Sequence, residues 1–163
     1  MQHPGGRLTH HHNNPEATEL AYRGGWFHTG DLASRDEHGY YTYRGRKKES
    51  MRRRGENISA REIENVVNRH PAVAESAGHA VASELGEDDV KLVVVLRPGH
   101  EAMPEELIEF CRGRMADYAI PGFVEFREAL PKTGTHRVQY ALLKAEEITP
   151  NTWRRPDASA PRR

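Results

Sequence analysis

The sequence predicts a small α+β domain, and three observations point that way. Helically spaced apolar residues alternate with short β-branched runs over about 100 residues. Only 36% of the 163 residues are hydrophobic and mean hydropathy is −0.84, which suits a small core. Turn formers such as Gly24-Gly25 and Pro98-Gly99 punctuate the periodic segments. The expected architecture is a three-stranded sheet packed by helices and preceded by a β-hairpin.

Element by element, residues 1–13 are rich in His, Gly and Asn without apolar periodicity and read as irregular. Three adjacent histidines, 10–12, cannot all face one ion from a regular element, so a solvated loop is expected there and not a metal site. Asn14-Pro15-Glu16 opens a helix: Asn caps, Pro suits the first turn and Glu complements the dipole. Gly24-Gly25 ends it after about Arg23. A turn over 36–39 then leads into a strand from Tyr40 to Tyr43, with Gly39 supplying the tolerant backbone position. Ser59 and Glu62 have capping-box spacing ahead of Ile63, Val66 and Val67, and His70-Pro71 stops that helix. Residues 90–96 read as a buried strand. Pro104 opens a helix with Leu107, Ile108, Cys111 and Met115 on one face. Phe123 to Phe126 is a short strand, and 139–148 a last helix carrying Leu142, Leu143 and Ile148. The Pro- and Arg-rich tail, 149–163, is expected to be disordered.

Charge and cysteine usage exclude several classes. Lys+Arg and Asp+Glu are both 24, so the net charge is zero and a dedicated nucleic-acid binder is not expected. Residues 44–54 hold seven basic side chains against Glu49 alone, but such runs are usually solvated faces, and acids follow. Cys111 is the single cysteine, so no intrachain disulfide can form. No apolar run approaches the ~20 residues that span a bilayer. Met1 to Asn14 has no apolar core of a secretory signal, and a cytoplasmic location is expected.

Six segments occur in one order: WFHTGDL, GYYTYRGRKKE, RRRGENISAREIE, HPAV, ELGEDDVKLVVVL and LPKTGTHRVQ. Together, over 13–144, they resemble the C-terminal third of AMP-forming acyl-CoA synthetases, in particular the crotonobetaine/carnitine-CoA ligase type. The resemblance implies a division into 1–45, the remnant of a large AMP-binding domain, and 46–148, the C-terminal lid domain. It also implies two half-reactions. A carboxylic acid attacks ATP to give an acyl-adenylate; the lid then rotates, and CoA thiol attacks to give the thioester. ATP/AMP and CoA are the implied substrates, with Mg2+ accompanying ATP, and none is expected to bind tightly to this chain alone.

Site residues carry over on the same motifs. Asp31 matches the carboxylate that accepts hydrogen bonds from both ribose hydroxyls, a role suited to two acceptor oxygens. Arg46 matches an arginine beside the nucleotide, where a planar guanidinium bridges oxygens. Lys48 matches the hinge about which the lid turns. Gly55, Glu56 and Asn57 match the loop that faces CoA in the thioester-forming pose, and Arg52 and Arg53 are candidates for CoA phosphates. Arg137 falls where the family has a lysine that contacts carboxylate and α-phosphate oxygens during adenylation, and His136 falls where it has glycine. Arginine keeps the charge but not the compact ammonium geometry; Lys132 is the nearest substitute cation.

No Gly/Ser/Thr-rich phosphate loop ending in Lys-Gly is present, so the chain is expected to supply one wall of an active site. A separately encoded large AMP-binding domain is the expected partner, and acyl selectivity is expected to reside there. The alternative is a non-catalytic binding or interaction module derived from the lid.

Overall fold

A computed structural model describes residues 9–83 and 86–158. They fall into two compact units divided between Asp31 and Leu32.

In the first unit, α1 (Pro15–Ala21) begins as its sequence dictates: Asn14 Oδ1 accepts from the Ala17 amide at 2.9 Å, and proline occupies the first turn. The chain turns away at Gly24, whose φ of +65° is left-handed.

β1 (Asp31–Arg35), which starts on the last residue of the first unit, and β2 (Tyr41–Arg46) form a two-stranded sheet. Asp36 Oδ1 builds its turn by accepting from the His38 and Tyr40 amides at 3.0 and 2.8 Å. A second hairpin, β3 (Ser50–Arg53) with β4 (Glu56–Ser59), leads directly into α2 (Ala60–Val67). The main sheet has strand order β5-β6-β7-β8, built from β5 (Val73–Ala82), β6 (Asp88–Leu96), β7 (Phe123–Phe126) and β8 (Trp153–Arg154). β5 and β6 are antiparallel; β6 and β7 are parallel, joined through α3 (Pro104–Cys111). The fourth helix, α4, spans Tyr140–Glu146.

Helices cover both faces of β6, which explains its apolar run, broken only by Lys91 between Val90 and Leu96. On one face Val90, Leu92 and Val94 pack with Ile63 and Val67 of α2 and Leu107, Ile108 and Cys111 of α3. Across the sheet, Val93 and Ala77 meet Leu130 and Leu143 of α4. Burial pushes the Cys111 thiol up to about 11, so it serves as a core residue and not a nucleophile.

Three expectations change here. Ser59 is the N-cap of α2, yet its hydroxyl makes no capping bond; it donates to the Arg44 carbonyl at 2.7 Å, tying β2 to the helix entrance. Gly45 is required beside it, with φ +141° and room for a Cβ only 2.7 Å from Ser59 Oγ. The segment expected as a disordered tail is ordered through 158: Trp153 and Arg154 pair with Val124 and Phe123, and Ala158 is buried. Residues 159–163 lie outside the described residues. β8 thereby makes the sheet four-stranded. β5, which its many small residues do not mark as a strand, is the longest in that sheet.

Two buried polar groups lie between the sheet and α4. Lys91 is wholly buried, and its ammonium meets Glu125 Oε2 at 2.5 Å and donates to the Glu147 carbonyl. His79 is opposite Lys91 in the β5–β6 register and 1% exposed. Its Nδ1 lies 3.1 Å from the Ala80 carbonyl, which fixes that nitrogen as the protonated one, while Nε2 has no partner.

Burial pulls His79 down to about 4 against the Ala80 bond, and Lys91, Lys144 and Arg127 push the same way. Because the folded pKa lies below the unfolded value, the unfolded chain binds more protons between pH 6.5 and 4. Stability is therefore full above pH 6.5 and falls by about 3 kcal/mol as pH drops to 4. Urea unfolding across this window checks it: His79→Leu should flatten the slope, and an unchanged slope would remove His79 as its source.

Candidate functional site

Asp31 ends the first unit, and its amide donates to Thr29 Oγ1 at 3.1 Å, within the turn that starts β1. The expected site residues of the second unit occupy three places, each built differently. The first is the hinge. Arg46 closes β2, and Lys48 sits exposed in a one-turn 3-10 helix, Lys47–Glu49. Such a turn has one hydrogen bond, from the Ser50 amide to the Lys47 carbonyl, so few interactions resist rotation there. The Lys48 carbonyl also accepts from Lys144 Nζ of α4 at 2.8 Å.

The second place is the β3–β4 turn. Arg53 pairs with Glu56, leaving Arg54 and Gly55 as a two-residue loop with φ of +52° and +78°. Positive φ at both positions defines the type I′ turn, whose twist matches that of the flanking strands. Gly55 is thus demanded by backbone conformation; a Cβ there would meet nothing within 4 Å, so its outer side is open. Gly55, Glu56 and Asn57 are all exposed. Asn57 borders an open cleft of about 350 Å³, floored by Ile58, Ile63, Val66 and Met115, with Arg114 on its rim.

Arg53 does not join this surface. It is 5% exposed, and its guanidinium is turned onto Asp89 and the Ile120 carbonyl, so the expectation that it meets CoA phosphates is corrected. Strand alternation is the reason: Arg52 and Arg54 share one face and Arg53 the other.

The third place is the loop between Lys132 and Val138, which close it as an antiparallel bridge. The Thr133 amide donates to the Arg137 carbonyl at 2.8 Å, and the Arg137 amide to Thr133 Oγ1 at 3.2 Å. The Arg137 side chain is exposed. His136 has φ +60°, a left-handed position that costs a non-glycine residue about 1 kcal/mol or more. The loop therefore keeps a conformation suited to glycine while carrying histidine. The Lys132 ammonium is engaged by Glu75 Oε2 at 2.6 Å, which argues against its standing in for a free cation. The loop runs straight into α4, whose Tyr140 hydroxyl donates to Glu64 Oε1 at 2.8 Å. The same oxygen accepts from the Gly78 amide, so α4, α2 and β5 converge on one carboxylate.

A sheet, two flanking helix layers and two exposed loops of this kind define the lid domain of adenylate-forming enzymes. Residues 62–137 match the AMP-binding enzyme C-terminal domain. The chain is 36% identical over 131 residues to a probable CoA ligase of Humulus lupulus, covering 80% of this chain and 25% of that protein. Against a crotonobetaine/carnitine–CoA ligase of Proteus sp. it is 36% identical, covering 78% and 25%. Against a long-chain-fatty-acid–CoA ligase of Bacillus subtilis it is 38% identical, covering 83% and 24%. The chain thus spans about a quarter of the length of these curated relatives. Among solved structures it resembles ATP-bound MatB from Rhodopseudomonas palustris, with TM-score 0.74 and 31% identity over 82% of this chain and 27% of that one. It also resembles the o-succinylbenzoate CoA synthetase of Bacillus subtilis in complex with its acyl-adenylate, with TM-score 0.75 and 30% identity over 81% and 27%.

Among the described residues no helix is long and apolar enough to cross a membrane, and no three His, Cys, Asp or Glu side chains gather as a metal-ligand set.

Proposed function

We propose that the chain is the lid of an acid–CoA ligase, which forms acyl-CoA from a carboxylic acid, ATP and CoA through an acyl-adenylate. It acts only against a large AMP-binding domain, which supplies the acid pocket, the phosphate loop and the site for the Mg2+ that accompanies ATP. The observation that carries this reading is the presence, on one lid domain, of two built and exposed loops. Residues 54–57 suit the CoA-side pose and residues 133–138 the adenylating pose. Asp31 takes the ribose hydroxyls, Arg46 the nucleotide oxygens, and Lys48 the hinge, with the working boundary between the large domain and the lid at 45/46.

The two loops differ in fitness. Gly55, Glu56 and Asn57 keep the family's residues, whereas Arg137 replaces the compact lysine cation and His136 occupies a glycine conformation. The chain is therefore better equipped for thioester formation than for adenylation. Mixing it with a separately expressed large domain tests this: thioester should form from supplied acyl-adenylate and CoA, while pyrophosphate release from ATP and acid stays weak. Absence of both half-reactions would remove the complementing role.

The departures at 136 and 137 favour one second reading, a non-catalytic module that binds a CoA-like ligand through the 54–57 turn. Titration calorimetry of the chain alone separates the two, since that reading requires heat with CoA at millimolar concentration or below.

A further inference from the structure

We infer that Arg53 is a positioning residue for the thioester-forming half-reaction, fixing from beneath the turn that presents Gly55, Glu56 and Asn57. The inference rests on the function proposed above. A two-stranded hairpin is marginal by itself, and this one forms a sheet separate from the main one. Its turn also places Arg54, a residue with a Cβ, at φ +52°. Something outside the hairpin must hold it.

Three consecutive acids at the start of β6 and just before it do so. Glu87 Oε2 accepts from the Arg54 amide at 2.7 Å, and Asp88 Oδ2 from the Arg52 amide at 2.9 Å. Between them Arg53 reaches inward. Its Nη1 lies 3.3 Å from Asp89 Oδ1 and donates to the Ile120 carbonyl at 2.8 Å and the Tyr118 carbonyl at 3.3 Å. Its Nη2 donates to Asp89 Oδ2 at 3.4 Å. Asp89 is 1% exposed, and its Oδ1 also accepts from the Val90 amide at 2.7 Å. Gly122 leaves the space that this carboxylate fills: a Cβ there would lie 2.6 Å from Asp89 Oδ2. Burial pulls the guanidinium below its usual range, and Asp89 opposes that.

The arrangement suits orientation and not ligand contact. A planar fork with several acceptors fixes direction in a way that a single ammonium cannot. Thioester formation depends on the turn's placement, and displacing a substrate-positioning group by about 1 Å can cost 100-fold in rate. Arg52 and Arg54, on the outer face, remain free to meet phosphate.

Arg53→Met, Arg53→Lys and Asp89→Asn test the inference in two steps. In the chain alone, amide hydrogen exchange at Arg54 and Asn57 should accelerate at least about 10-fold in Arg53→Met relative to amides of β6, with Arg53→Lys between it and the wild type. In the assembly with a large domain, KM for CoA should rise about 10-fold or more, while the adenylate-forming rate changes less. Exchange and KM both like wild type would overturn the inference. If the wild-type assembly forms no thioester, the proposed function fails, and the exchange data still decide whether Arg53 orders the turn. If Arg53→Met does not fold, Asp89→Asn gives the same two readouts with the guanidinium still bound to the Ile120 and Tyr118 carbonyls.

Discussion

Arg137→Lys combined with His136→Gly should raise the adenylate-forming rate of the assembled enzyme about 100-fold, with little change in the thioester step. A cation aimed at oxygens that gain charge in the transition state is worth roughly 3–4 kcal/mol, or 100- to 1000-fold in rate. An ammonium is compact, while a guanidinium is wider and planar, so the same charge is delivered at a different place. The loop backbone needs no rebuilding to accept lysine. It is closed by the Lys132–Val138 bridge and the Thr133–Arg137 bonds, none of which uses the side chain of 137. His136 already holds φ +60°, so glycine relieves left-handed strain of about 1 kcal/mol, and its larger unfolded-state freedom offsets roughly that amount. Folding stability should therefore stay within about 1 kcal/mol of wild type in chemical denaturation. A quench-flow measurement of pyrophosphate release checks the rate; no gain in the double variant would show that position 137 does not limit adenylation.

The largest expected effect on stability belongs to Glu125→Gln. Glu125 is 3% exposed and gathers Lys91, Arg127 at 2.6 Å, and the hydroxyls of Thr149 and Thr152 at 2.9 and 2.8 Å. Burial alone would raise its carboxyl; Arg127, Lys91, Thr152 and Thr149 outweigh that and hold it at about 2. The amide keeps the shape and loses the charge. Lys91 is then left wholly buried without a counter-charge, with neutral acceptors alone, the Glu147 carbonyl among them. Removing one partner of a buried pair typically costs about 3–5 kcal/mol, and Tm should fall by roughly 10 °C or more. The pH dependence carries the same signature. With the folded pKa depressed, the carboxylate's contribution is full above pH 4.5 and is lost as pH falls toward 2, and the variant should lack that component. Thermal unfolding of Glu125→Gln beside the double variant Glu125→Leu/Lys91→Met decides the matter. The double variant should recover most of the loss, because the buried ammonium is removed with its partner and Arg127 keeps Glu146; a single-variant loss below about 1 kcal/mol would contradict the role given to this pair.

Much of the fold was legible because local chemistry and tertiary packing agree. Asn14-Pro15 starts α1, Pro104 starts α3, and the β-branched run of β6 is the strand buried on both faces. β5 was not legible, since its small residues, Ala77, Gly78 and Ala80 among them, carry little strand propensity. It forms through pairing with β6 along its length. β8 was hidden by a composition typical of solvated tails, and Trp153 was the signal against that reading. Ser59 had capping-box spacing, but the Arg44 carbonyl claimed its hydroxyl.

The same contrast holds in the candidate site. Motif order located Gly55, Glu56, Asn57 and Arg137, and the structure shows both loops as defined turns. Three adjacent arginines looked equally solvated in sequence, yet strand alternation turns Arg53 inward. The signal that would have separated it is the run Glu87-Asp88-Asp89, which lies far along the chain and gains meaning only once β3 and β6 are neighbours.

The most direct test is a chimera in which residues 46–163 replace the corresponding lid of the Bacillus subtilis long-chain-fatty-acid–CoA ligase, because covalent linkage removes any question of affinity between separate pieces. Single-turnover kinetics would follow adenylate formation and thioester formation separately. The predicted result is a thioester step close to that of the parent and an adenylate step about 100-fold slower. A chimera that adenylates at the parent rate, or one that makes adenylate but no thioester, would contradict a lid whose CoA side is intact and whose adenylating side is altered.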